Sequence, residues 1–206
     1  TIADYMAPAL GPELRRHPYF LEIGPDKELV WEWHGEEHLQ ELTDLVGLQI
    51  PIDWEGRCAE EVELRRAWDP TLQEATPEEL EATKNHLMRQ FSFDWAHNNT
   101  CQVIEGNAAA AKDSRFRPGN IVFSYRTLDI IGVIDRDSSE IVWAWGPGVI
   151  DGQHKPHMLP NGYILLFDNG TRRGWSRVVE MDPLTNKIVW EYTGTPRECF
   201  CIAFIS

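Results

Sequence analysis

The chain has 206 residues, of which 42% are hydrophobic and nine are tryptophan, a composition typical of a folded globular protein. Its 33 acidic and 19 basic residues give a formal net charge of -14. This charge argues against nucleic acid or an anionic membrane surface as a partner, because both bind basic faces. The sequence has no apolar run of about 18 residues, so it predicts no transmembrane helix.

Three segments resemble one another and predict repeated β-hairpins. They are FLEIGPDKELVWEWHG (20–35), GVIDRDSSEIVWAWGPG (132–148) and VVEMDPLTNKIVWEYTG (178–194). Each has an apolar strand, a polar turn and a second strand ending in Val-Trp-x-aromatic. The spacing of the later two indicates the repeat of about 40–50 residues, with four strands per unit, that is typical of β-propeller blades. We expect Trp31, Trp143 and Trp190 to lie in the core between blades.

Residues 36–93 interrupt this strand pattern with a partly helical insertion. The stretch TLQEATPEELEATKNHLMRQF (71–91) predicts a helix, because Thr76 is suited to the N-cap and Pro77 to the first helical position. A glutamate three residues after Thr76 completes a capping box, and apolar residues recur at helical spacing. The stretch DWEG (53–56) is predicted to be a loop.

Two four-stranded units follow, at 94–148 and 152–194. The predicted strands of the first are DWAHNNTCQVI, NIVFSYR, DIIGVIDRD and EIVWAWG, and those of the second are HKPHML, YILLFDN, SRVVEMD and KIVWEY. The sequence therefore predicts an all-β fold, a single partial β-propeller domain over 1–206. In this prediction 20–35 ends an earlier blade, and 195–206 begins the next one.

The repeat predicts that two histidines meet. We allow an insertion of about ten residues between the first two strands of the first unit, which makes the His97–Trp143 and His154–Trp190 spacings match. His97 and His154 are then predicted to hold equivalent places on the strands that line the propeller axis. Arg126 ends the second strand of the first unit, and a guanidinium beside two imidazoles favours a tetrahedral oxyanion as ligand.

The motifs DWAHNNT, VFSYR and, above all, the order GQH, LPNG, LFDNG resemble the PAPS-independent arylsulfotransferases, which are six-bladed propellers. The resemblance implies that His154 attacks the sulfur of an aryl sulfate ester and becomes a transient sulfohistidine. It implies that His97 binds the sulfuryl oxygens or handles the phenol proton, and that Arg126 neutralises charge on the transferring group. The acceptor is a second phenol, in a ping-pong reaction that requires neither a metal nor a diffusible cofactor.

Other assignments complete this prediction. Asn169, Trp95 and Asn98 are assigned to substrate binding, although Trp95 fits a packing role equally well. The family is usually exported, so a periplasmic or secreted location is expected. A further histidine that the family uses has no match in residues 1–93.

The sequence also fits non-catalytic and purely structural roles. The chain could be a non-catalytic propeller that serves as a scaffold or ligand-binding subunit, with a second copy or a partner covering its exposed edge strands. Arg126 fits a surface ion pair equally well, and Arg172 and Arg173 are expected in a solvated loop. The four cysteines, Cys58, Cys101, Cys199 and Cys201, have no zinc-site spacing and fit either a disulfide or free thiols.

Overall fold

The computed structural model describes residues 15–200 and places their strands in three antiparallel sheets. A hairpin pairs β1 (Tyr19–Ile23) with β2 (Leu29–His34). The first sheet has the order β3 (Asn98–Val103), β4 (Ile121–Tyr125), β5 (Ile130–Ile134) and β6 (Ile141–Trp145). The second sheet has the order β7 (His154–Met158), β8 (Ile164–Asp168), β9 (Arg177–Asp182) and β10 (Lys187–Tyr192). The predicted four-stranded antiparallel units are therefore confirmed.

Helices fill the segment between the hairpin and the first sheet. They are α1 (Leu39–Val46), α2 (Trp54–Arg66), the short α3 (Pro70–Gln73) and α4 (Pro77–Phe93). The predicted capping box at Thr76 is present and starts α4. The loop predicted at 53–56 is wrong, because Asp53 caps α2 by accepting a hydrogen bond from the Gly56 N–H at 2.9 Å.

Two apolar clusters hold these elements together. In one, the hairpin and α1 pack on the first sheet, with Trp33, Leu42 and Phe123 almost fully buried. In the other, the two four-stranded sheets share a core that includes Ile131 and Leu166. The first sheet is thus covered on both sides.

A repeated tryptophan contact joins successive strand pairs. The Trp31 indole N–H donates to Ser139 Oγ at 3.0 Å, and the Trp143 indole N–H donates to Asn186 Oδ1 at 3.2 Å. Ser139 and Asn186 both sit in turns with positive φ, at 63° and 57°. The expected packing between units therefore holds for these two tryptophans. Within residues 15–200 it does not hold for Trp190, which is 49% exposed on β10.

The ladder registers correct the predicted equivalence of His97 and His154. Beyond a β-bulge in β3 and in β7, the two sheets pair in the same way, with Val103 opposite Ile121 and Met158 opposite Ile164. Asn99 lies four residues before Val103, and His154 lies four residues before Met158, so these two residues are equivalent. By the same count, His97 is equivalent to Gly152. The predicted equivalence assumes that the two units differ in length only between their first two strands. The loop between β8 and β9 is also longer than the turn between β4 and β5, so the tryptophan spacing does not align the histidines.

The far end of the chain was predicted to begin a further blade. Up to residue 200 it forms a 3₁₀ turn, Arg197–Cys199, and no strand. Residues 201–206, including Cys201, lie outside the described residues, whereas Cys58, Cys101 and Cys199 are free thiols. No helix within residues 15–200 is long and apolar enough to cross a bilayer.

Candidate functional site

His154 begins β7, the strand of the second sheet that packs against β3 and β4. Its ring is buried, and its Nδ1 lies 3.2 Å from the carbonyl oxygen of Gly152. A carbonyl can only accept a hydrogen bond, so a neutral ring in this position carries its proton on Nδ1. The lone pair of Nε2 is then left available for chemistry.

The surroundings of His154 keep its ring neutral. Burial lowers the pKa of His154, and the charges of Arg126 and His97 lower it further. The Gly152 carbonyl and the Asn169 side chain act in the opposite direction and offset only part of this change in pKa. Because imidazole ordinarily titrates near neutral pH, a lowered pKa leaves the nucleophilic, unprotonated form dominant at pH 7.

His97 lies just before β3 and is oriented by an acid in the same motif. Its Nδ1 is 2.8 Å from Asp94 Oδ2, and its backbone N–H donates to Asp94 Oδ1 at 3.2 Å. Burial by itself would raise the pKa of Asp94, but the hydrogen bond and charge of His97, with the charge of Arg16, lower it overall. Asp94 is therefore a carboxylate that accepts a hydrogen bond from His97 Nδ1–H. Because Nδ1 faces Asp94, Nε2 of His97 points away from that carboxylate.

Arg126 follows β4 and carries a guanidinium that none of the described residues pairs. Its Nε is fully buried without a hydrogen-bond partner. Burial lowers the pKa of Arg126, and the carboxylates of Glu61 and Asp129 only partly offset this. A buried cation without a partner is costly, and an oxyanion would relieve that cost.

The cavity beside Arg126 is small and lies between the sheets and the helical segment. Its volume is about 20 Å³, close to the space that one water molecule occupies. Arg126, Gly152 and Thr171 line it from the sheets, and Arg57 and Glu61 line it from α2. Neither His97 nor His154 lines it.

An ionic network fixes the helical segment to the sheets. Arg172 Nη2 lies 2.6 Å from Asp129 Oδ2, and Arg172 Nε lies 3.1 Å from Asp151 Oδ1. From α2, Arg57 donates to the Thr127 carbonyl at 2.8 Å. The solvated loop predicted for Arg172 and Arg173 is therefore wrong, because Arg173 also pairs with a fully buried carboxylate, that of Asp168, at 3.0 Å.

The three residues assigned to substrate binding have different environments. Trp95 is 3% exposed, donates to His17 Nδ1 at 3.1 Å and meets the Tyr125 ring edge to face, which favours a packing role. Asn98 donates to the Ser124 carbonyl at 3.0 Å when its amide is oriented to suit its neighbours. Asn169 is buried beside His154. Its Oδ1 has no hydrogen bond of normal geometry, although the amide is close enough to favour the imidazolium.

No family model, curated protein or solved structure matches this chain. The likeness to arylsulfotransferases therefore rests on the motifs quoted above. Within residues 15–200, no three His, Cys, Asp or Glu side chains are grouped so that they could hold a metal ion.

Two residues that position the site, Gln153 and Asp129, were not predicted from the sequence. Gln153 is fully buried, and its amide donates to Ser124 Oγ at 3.0 Å and to the Ile130 carbonyl at 2.9 Å, which ties the second sheet to the first. Its place beside His154 in GQH was the signal that could have found it. Asp129 lies in a tight turn after Arg126 and gave no signal, because its partners come from distant parts of the chain.

Proposed function

We propose that this chain carries a sulfuryl-transfer site of the arylsulfotransferase type. The observation that supports it is a buried His154 imidazole, whose pKa is lowered, near the Arg126 guanidinium, which has no ion-pair partner among residues 15–200, with His97 nearby. Sulfuryl transfer needs a nucleophile that is uncharged before attack and fixed positive charge near the equatorial oxygens. This set of side chains supplies both.

In the first half-reaction, the lone pair on His154 Nε2 attacks sulfur, and the bond from sulfur to the aryl oxygen breaks. The leaving phenolate takes a proton from His97, and Arg126 balances the charge of the sulfuryl oxygens. In the second half-reaction, an acceptor phenol gives its proton to His97 and attacks the sulfur of the sulfohistidine. The bond from nitrogen to sulfur breaks, and its electron pair returns to Nε2.

We also propose that the two sheets and the hairpin are part of a β-propeller. In support, the same contact from a tryptophan indole to a positive-φ turn links the hairpin to the first sheet and the first sheet to the second. A constant contact between successive strand units is what radial repetition requires. The number of blades in the ring, six in the family that the chain resembles, belongs to this proposal.

The test is a burst assay with 4-nitrophenyl sulfate. We expect a rapid release of 4-nitrophenol close to one equivalent of protein, an acid-labile sulfo-adduct on His154, and loss of both in His154→Asn. The matched control is His157→Asn, which changes an exposed histidine of the same strand and leaves the burst unchanged. A folded protein that gives neither burst nor adduct would disprove the proposal.

A second candidate function, a non-catalytic scaffold, is favoured by the uncovered side of β10. Val189, Trp190 and Tyr192 are 47%, 49% and 53% exposed there, and large exposed apolar surfaces mark interaction sites. The scaffold function predicts that the His154→Asn protein keeps every property of the wild type. The burst assay therefore separates the two functions.

A further inference from the structure

Gly152 stands between His154 and a buried carboxylate. Its carbonyl oxygen accepts from the imidazole Nδ1, and its N–H donates to Asp129 Oδ1 at 2.8 Å. The backbone of Gly152 is left-handed, with φ of 64°, and a side chain there would approach Thr171 Oγ1 to 3.2 Å. The carbonyl that selects the protonated nitrogen of His154 is therefore placed by a left-handed backbone that glycine adopts without strain, and the group that bonds the Gly152 N–H anchors it there.

Asp129 is that anchor, and both of its oxygens act as acceptors. Oδ1 takes the Gly152 N–H, and Oδ2 takes Arg172 Nη2 at 2.6 Å and lies 3.5 Å from Arg57 Nη2. The side chain is buried, at 8% exposure. The ionised carboxylate accepts on both sides, whereas protonation, which burial favours by raising the pKa of Asp129, would place an O–H towards a donor.

The residues beside Gly152 are held by other groups. The Asp151 N–H donates to Asp168 Oδ1 at 2.8 Å, and the Gln153 amide holds the next residue on the first sheet. Neither of these contacts engages Gly152 itself. Asp129 also closes the turn that begins with Arg126. One short turn therefore carries the Arg126 side chain and also supplies the carboxylate that bonds the Gly152 backbone.

We infer that Asp129 is a positioning residue for His154: through Gly152 it keeps the imidazole proton on Nδ1 and leaves Nε2 unprotonated beside Arg126. This inference deepens the proposed function and depends on it for its effect on turnover. The tautomer itself is independent of sulfuryl transfer, which gives the two ideas separate tests.

The test uses ¹⁵N NMR of the histidine rings at neutral pH, with His154 assigned from the signal lost in His154→Asn. In the wild type we expect the tautomer protonated on Nδ1. In Asp129→Asn the amide cannot accept from both Gly152 and Arg172, so we expect a mixture of the two tautomers. Turnover of 4-nitrophenyl sulfate should fall about 100-fold with little change in KM, because the nucleophile is misaligned.

Asp135→Asn is the matched control. Asp135 also accepts from backbone N–H groups, those of Asp137 and Ser138, and from an arginine, Arg117, but it lies in the turn after β5. The control should leave both the tautomer and the turnover as in the wild type. The inference is overturned if wild-type His154 carries its proton on Nε2, a result that does not require the variant to fold. An unchanged tautomer in folded Asp129→Asn would overturn it equally. A wild type with the expected tautomer but without a burst would refute the proposed function alone.

Discussion

Replacing Gln153 with alanine should lower the free energy of unfolding by about 2 kcal/mol. The Gln153 amide nitrogen lies 3.0 Å from Ser124 Oγ, 2.9 Å from the Ile130 carbonyl and 3.3 Å from the Tyr125 carbonyl, all in the buried seam between the two sheets. An amide has only two N–H groups, so about two full hydrogen bonds are lost, at about 1–1.5 kcal/mol each.

Two further terms act in opposite directions. Truncation removes buried methylene groups and leaves a small cavity, which adds about 1 kcal/mol to the loss. It also removes Gln153 Oε1, which is buried without a partner and whose desolvation already costs about 1 kcal/mol or more in the wild type. These terms nearly cancel, so the hydrogen bonds decide the result.

The assay is urea unfolding followed by tryptophan fluorescence, with the free energy extrapolated to water. The control is Gln40→Ala, since Gln40 lies on the exposed side of α1 and bonds only to Asp44, at 3.0 Å. Its effect should stay within about 0.5 kcal/mol. A loss below about 1 kcal/mol in Gln153→Ala would show that the GQH glutamine does not join the two sheets.

The remaining predictions concern the repeated tryptophans and the titration of His154. Trp143→Phe should lower the free energy of unfolding in urea by about 1 kcal/mol or more, because it breaks the hydrogen bond to Asn186. Trp190→Phe, at an exposed position of β10, should leave this free energy almost unchanged. Equal losses in the two variants would refute the repeat contact. In an NMR titration, the pKa of His154 should lie below the ordinary imidazole range and should rise in Arg126→Gln, which removes the nearby positive charge; an unchanged pKa would place Arg126 too far away to act. Because the folded state then binds a proton less readily than the unfolded chain, His154 should lower stability as the pH falls through about 6.5, and this loss should be absent in His154→Asn.

The repeating elements of the fold were readable from the sequence because their signals are local. The strand alternation and the polar turns predicted both four-stranded sheets, and the Thr76 capping box marked the start of α4. Register was harder. Loops of unequal length do not change the hydrophobic pattern of the strands, so the spacing of tryptophans gave a wrong equivalence for His97.

The site was readable only where its residues belong to a motif. The resemblance singled out His154, His97 and Arg126, and the charges of Arg126 and His97 both lower the pKa of His154. Asp129 and Arg172 could not be found in this way, since they meet only after the loop following β8 folds back on the turn after β4. The prediction that Arg172 lies in a solvated loop was wrong for the same reason, because the carboxylates that pair with Arg172 are distant in the chain.

The charge of the whole chain and the charge of the site act in opposite directions on an anionic ligand. At -14 the protein repels anions at long range, so electrostatic steering does not favour an aryl sulfate. Around the cavity, Arg172 and Arg57 are already neutralised by Asp129 and its neighbours, which leaves Arg126 as the lining guanidinium without an ion-pair partner among residues 15–200. If the proposed function holds, affinity for a sulfuryl group comes from short-range contacts in the site and not from long-range attraction. Because Arg57 and Glu61 of α2 line the cavity beside Arg126, the helical segment that bonds to the sheets also borders the space next to that guanidinium.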